Sequence, residues 1–87
     1  MKQWNNEQMK VEIITPEKRL FTGEAKLIQL PGANGSFEIM NNHAPVISTL
    51  FEGKIKVVEL SGNKLFFEII SGLVEVSSNK ITVLAEG

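Results

Sequence analysis

Glycine or asparagine returns along this chain at a near-constant interval. Gly23, Gly32, Asn42, Gly53, Gly62, Gly72 and Asn79 fall seven to eleven residues apart. The runs between them are rich in Val, Ile, Phe and Thr, the residues that suit a pleated, half-buried surface. Turn residues at this spacing are the pattern of a β-sandwich or barrel. No interval is long enough to hold a strand and a helix capped at both ends. The chain is therefore expected to be all-β and, in isolation, a monomer.

Within the runs, apolar and polar residues alternate with period two. Val11 and Ile13 oppose Lys10 and Glu12. Ile28 and Leu30 read as inward with Lys26 near the open end of their run, and Ile55 and Val57 face away from Lys54 and Lys56. Leu65, Phe67 and Ile69 share one phase, as do Val74 with Val76 and Ile81 with Val83 and Ala85. Arg19 to Thr22 and Ala25 to Leu30 read as separate strands, giving nine or ten in all. The first nine residues read as a polar extension carrying Trp4, and 10–87 as one domain. Five apolar residues fall on the polar phase of their strands: Ile14, Phe66, Ile70, Leu73 and Leu84. Either the packing of two sheets buries them, or they form a patch that requires a partner.

Composition narrows the chemistry. The 87 residues allow one domain, and the formal net charge of -1 supplies no cationic field for nucleic acid or an anionic bilayer. With no Cys there are no disulfides, thiolate nucleophiles or thiolate zinc sites, and one His, His43, cannot form a paired imidazole site. No apolar stretch approaches membrane-spanning length, and the polar head is no signal peptide. The Glu residues are spread along the chain, as on solvated faces, without a pair suited to acid–base work. His43 lies in the loop Asn42-His43-Ala44-Pro45 with no nucleophile in a recognisable setting. Pro31-Gly32-Ala33-Asn34-Gly35 lacks the Lys-Ser/Thr ending of a phosphate loop and opens no helix. No catalytic, cofactor or metal site is expected, and the chain reads as a non-enzyme.

Seven segments, taken in order, carry a resemblance. They are Thr15-Pro16-Glu17-Lys18, Phe21-Thr22-Gly23-Glu24, Leu30-Pro31-Gly32, Gly35-Ser36-Phe37-Glu38-Ile39, Asn42-His43-Ala44-Pro45, Ser71-Gly72-Leu73-Val74-Glu75-Val76 and Lys80-Ile81-Thr82-Val83-Leu84-Ala85. Across Lys10 to Glu86 the set resembles the epsilon-subunit family of F-type ATP synthases. The resemblance implies a flattened sandwich of about ten short strands. It implies a central-stalk rotor subunit that joins the gamma subunit to the c-ring and performs no chemistry itself. The complex would sit on the cytoplasmic side of the inner or plasma membrane, with this subunit peripheral and not inserted. Matching motifs carry Gly32, Gly35, Ser36 and His43 over as the c-ring end, in a loop running from Gly32 to His43. One departure concerns that end: the position of Ser36 is often acidic in the family, and that of Glu38 is often Gly. The acidic group has moved by two residues, the strand period, which keeps Glu38 on the same face and in the expected c-ring contact. The outward apolar residues Ile14, Phe66, Ile70 and Leu84 are the expected gamma contact.

A second departure is the end of the chain at Gly87, where typical family members continue into a helical hairpin. The hairpin's inhibitory role, and its nucleotide site in some members, are therefore not expected here. Met1 without a tag is what a complete natural protein would show. The alternative function is a small ligand-binding β-sandwich. It would need exposed aromatics over a groove, and Trp4, Phe51 and Phe66 are the candidates.

Overall fold

A computed structural model describes residues 9–40 and 44–87. Trp4 and His43 lie outside the described residues. The rest forms eight β-strands and no helix: β1 (Met9–Ile14), β2 (Arg19–Gly32), β3 (Gly35–Met40), β4 (Val46–Leu50), β5 (Gly53–Glu59), β6 (Lys64–Ile69), β7 (Ser71–Ser77) and β8 (Lys80–Glu86). The first strand begins at Met9, one residue before the expected start of the domain, and that side chain is buried.

The turns follow local chemistry. Ser78 and Asn79 both adopt positive φ, 50° and 62°, between the paired residues Ser77 and Lys80. Positive φ at both central positions is the two-residue hairpin geometry whose twist matches that of the strands. Between β5 and β6, the Gly62 N–H donates to the Glu59 carbonyl at 2.8 Å, and Gly62 takes φ +96°. The β1–β2 turn is closed by Thr15: its N–H donates to the Lys18 carbonyl at 2.8 Å, and its Oγ1 accepts from the Lys18 N–H at 3.2 Å.

The strand count is lower than the turn markers suggested. Gly23, expected to separate two strands, lies inside β2 and pairs with Val11. The 14-residue β2 does not turn there; it shifts register against β5 between Ala25 and Leu27. An extra residue in one strand of a ladder bends that strand. Gly72 likewise lies inside β7. The chain passes from β6 to β7 at Ile70, whose N–H donates to the Glu86 carbonyl at 2.7 Å beside the Ser71–Glu86 pair.

The bend in β2 organises the molecule. Ala25 pairs with Met9 on one edge and Glu59 on the other, while Ile28 pairs with Ile39 and Val57. β1 and β3 therefore follow one another along a single edge of β2, and β5 takes the opposite edge. The eight strands form one sheet, in the order β4-β7-β8-β1-β2-β5-β6 with β3 also on β2. It folds over at β2 into two layers: β4, β7, β8, β1 and the first half of β2, then β3, the second half of β2, β5 and β6. Most pairs are antiparallel, but β1 and β8 run parallel.

Both layers bury their inward phase in one cluster. Ile13, Val74, Ile81 and Val83 come from the first layer; Ile28, Ile39, Ile55 and Val57 come from the second. All are fully buried. Burying each such aliphatic side chain contributes roughly 1.5–3 kcal/mol by transfer from water. Outside the register shift in β2, the alternation expected from sequence is thus the alternation found, including Ile69 and Val83 in the core.

Candidate functional site

Outward-facing side chains of the first layer form cross-strand rows. Ile14 on β1 stands beside Leu84 on β8, Leu84 beside Leu73 on β7, and Leu73 beside Thr49 on β4. Ile14 is half-buried, and Leu84 and Leu73 are exposed by 51% and 40%. The next row holds Glu12, Thr82, Glu75 and Ile47. Ile47 is the most exposed large apolar residue described, at 66%. Sequence reasoning passed over it because β4 offers only Val46-Ile47-Ser48-Thr49-Leu50, with no charged residue to mark the outward phase. Arg19 lies beside Ile14 and approaches Glu12 at 3.5 Å, an exposed pair at the rim.

The second layer presents a different outer face. Glu38 on β3 stands beside Gln29 on β2, Gln29 beside Lys56 on β5, and Lys56 beside Phe66 on β6. The parallel row holds Met40, Leu27, Val58 and Lys64. Ser36 lies opposite Pro31, and the Gln29 Nε2 donates to its Oγ at 3.1 Å. Gly32 and Gly35 close the hairpin around Ala33 and Asn34, with Gly35 at φ +107°. A glycine there avoids the strain that a Cβ would introduce at positive φ.

The residues expected to act together divide between these faces. Gly32, Gly35, Ser36 and Glu38 are gathered on one hairpin. The segment is no loop, however: Gly35–Met40 is the strand β3, held to β2 along its whole length. Phe37 and Ile39 anchor it in the core, which turns Ser36 and Glu38 to solvent. Of the four outward apolar residues, Ile14 and Leu84 are neighbours. Ile70 is 64% exposed at the link between the layers, next to Glu86. Phe66, exposed by 57%, belongs to the second layer and shares its row with Glu38. Strands lie about 5 Å apart, so Phe66 and Glu38 are separated by roughly 15 Å across three steps.

Neither face has the form of a ligand pocket. The depression over Gly23 is lined by Lys10, Glu12, Thr22, Glu24 and Lys80, and that beside Ile14 by Thr15, Pro16, Leu84 and Glu86. Among the described residues, no aromatic ring lines either one, as the alternative ligand-binding function would require. Among the described residues, no three His, Cys, Asp or Glu side chains gather as a metal site. No helix among them is long and apolar enough to cross a membrane.

Residues 8–87 match the family model described as "ATP synthase, Delta/Epsilon chain, beta-sandwich domain". The ATP synthase epsilon chain of Campylobacter lari is 38% identical over 77 residues, covering 88% of this chain and 59% of that one. The epsilon chain of Parvibaculum lavamentivorans is 36% identical, covering 92% and 61%. This chain thus spans about three-fifths of the length of these two relatives. The epsilon chain of Chlorobium limicola is 37% identical over 82 residues, covering 94% of this chain and 93% of its own length. Two solved assemblies contain the same fold. One is the Euglena gracilis mitochondrial ATP synthase, with TM-score 0.87 and 14% identity over 93% of this chain and 52% of the matching one. The other is the central stalk and c-ring of the Tetrahymena thermophila enzyme, with TM-score 0.74 and 21% identity over 91% and 63%. The ordered motifs, the strand-only fold and the match over 8–87 agree: the chain belongs to the epsilon-chain family of ATP synthases and carries its β-sandwich domain.

Proposed function

We propose that the chain is a central-stalk subunit of an F-type ATP synthase, seated between the gamma subunit and the c-ring. It would support the coupling of ion translocation to ATP synthesis without chemistry of its own. The observation that carries this is the family match across 8–87. The two outer faces fit the two contacts. The apolar row Ile14–Leu84–Leu73, with Ile70 at the corner, offers gamma a surface whose burial releases water from aliphatic groups. The second layer offers the c-ring a polar hairpin: Gly32 and Gly35 permit close backbone approach, and Ser36 and Glu38 suit polar loops. His43 completes the c-ring set as a proposal from the matched motif. Phe66 is the fourth proposed gamma contact, and it would be reached only if gamma wraps the β6 side. In this function the subunit is peripheral, on the cytoplasmic side of the inner or plasma membrane.

Mixing the purified chain with a gamma–c-ring subcomplex tests the proposal. Stoichiometric incorporation is expected. Retention by gamma but not by the c-ring, or by neither, would remove the corresponding half.

A further inference from the structure

The segment Lys64-Leu65-Phe66-Phe67-Glu68 has no role in the function proposed above beyond the Phe66 ring. It forms most of β6, which ends the sheet and among the described residues pairs on one edge only, with β5. Which backbone groups face the open edge follows from the turn. The Glu59 N–H donates to the Asn63 carbonyl at 2.8 Å, so these two are a hydrogen-bonded pair. Such pairs recur at every second residue of an antiparallel ladder. Val57–Leu65, Ile55–Phe67 and Gly53–Ile69 are therefore the bonded pairs with β5. Lys64, Phe66 and Glu68 direct their N–H and C=O groups to the open edge, and their side chains are exposed.

Proteins commonly guard such edges with charge. Here the guards have opposite signs and are spaced symmetrically about Phe66. We infer that the free chain self-associates through β6, two copies pairing antiparallel about a two-fold axis at Phe66. Lys64 then lies opposite Glu68 of the second copy, Phe66 opposite Phe66, and Glu68 opposite Lys64. Each pair exchanges both main-chain bonds, because these are the residues whose groups face outward. On the inner face Leu65 meets Phe67 of the second copy, extending half-buried apolar surface. The contact is isologous and closes at two copies, as a two-fold interface must. The other open strands lack this match. The same operation about Glu38 on β3 sets two carboxylates against each other, and β4 has no charge to pair. Gly87 lies against the Glu68 carbonyl, where an added Cβ would sit 3.1 Å from the oxygen, so the central Phe66 pair meets an open edge and the two outer pairs require Gly87 to leave that carbonyl. The inference rests on the fold and is independent of the stalk function. It departs from the monomer expected from the sequence, and the oligomeric state in solution decides between the two.

Sedimentation velocity of the 87-residue chain, from micromolar to near-millimolar concentration, is the test. A reversible monomer–dimer equilibrium is expected. Lys64→Glu and Glu68→Lys each place like charges opposite one another twice per dimer, and each should raise the dimer Kd by roughly tenfold or more. The double variant should restore dimerisation, and an equimolar mixture of the two single variants should form the mixed dimer. All these side chains are exposed, so circular dichroism should report unchanged folding. A chain that stays monomeric throughout, or a dimer indifferent to both reversals, would overturn the inference.

Discussion

Ile14 and Leu84 stand side by side across the parallel β1–β8 pair, both on the outward phase of strands whose inward neighbours Ile13 and Val83 are fully buried. Two large aliphatic side chains thus meet on the solvent side of a sheet that already has a complete core. Their position adds nothing to that core, so their proposed role is at an interface.

Leu84→Glu should leave the fold intact and weaken binding to gamma by about 2 kcal/mol or more, the scale of an interface hot spot. Titration calorimetry of the folded variant against gamma measures it. Phe66→Glu, on the other layer, is the companion. Loss of binding in that variant but not in Leu84→Glu would move the gamma interface to the second layer.

The core is sensitive in the opposite sense. Ile69→Ala should cost about 2–5 kcal/mol of stability and Val83→Ala somewhat less, since both truncate buried aliphatics. A small domain has only roughly 5–15 kcal/mol in total, so urea midpoints should fall visibly. Unchanged midpoints would show that neither side chain is packed as described.

Gly62 sits at φ +96° with open space where a Cβ would point. Gly62→Ala should therefore lose stability through the backbone alone, by about 1–2 kcal/mol. Thermal unfolding can register this. Equal stability would mean that the turn relaxes to a right-handed conformation at no cost.

A cysteine at Ser36 tests the c-ring end, and no native Cys competes with it. In the assembled rotor, Ser36→Cys should cross-link to a cysteine in the polar loop of a c-subunit. Asn63 lies in the turn at the other end of β5 from the Gly53 side of the hairpin, so Asn63→Cys should not. The reverse result would invert the seating of the domain.

The sequence by itself determined the class of fold, the phase of the strands outside the bend in β2, and the core apart from Met9, which it placed in the extension. Those features are local: a period-two pattern specifies which side chains share a face, and turn chemistry at Gly62 and Asn79 specifies where the chain reverses. The tight hairpin at Ser78-Asn79 and the turn at Thr15–Lys18 were legible for the same reason. The tertiary structure alone decided which faces adjoin. Gly23 looks like a turn in sequence, yet pairing with Val11 keeps it extended, and a register shift two residues later carries β2 from one layer to the other. That bend puts the β5–β6 hairpin, and with it Phe66, in the layer of Glu38 and away from Ile14 and Leu84. It also leaves β6 with an open edge. Neighbours across a ladder are fixed by which strands pair and in what register. For β1 and β8 that pairing joins residues nearly the whole chain apart, a relation that no local pattern encodes.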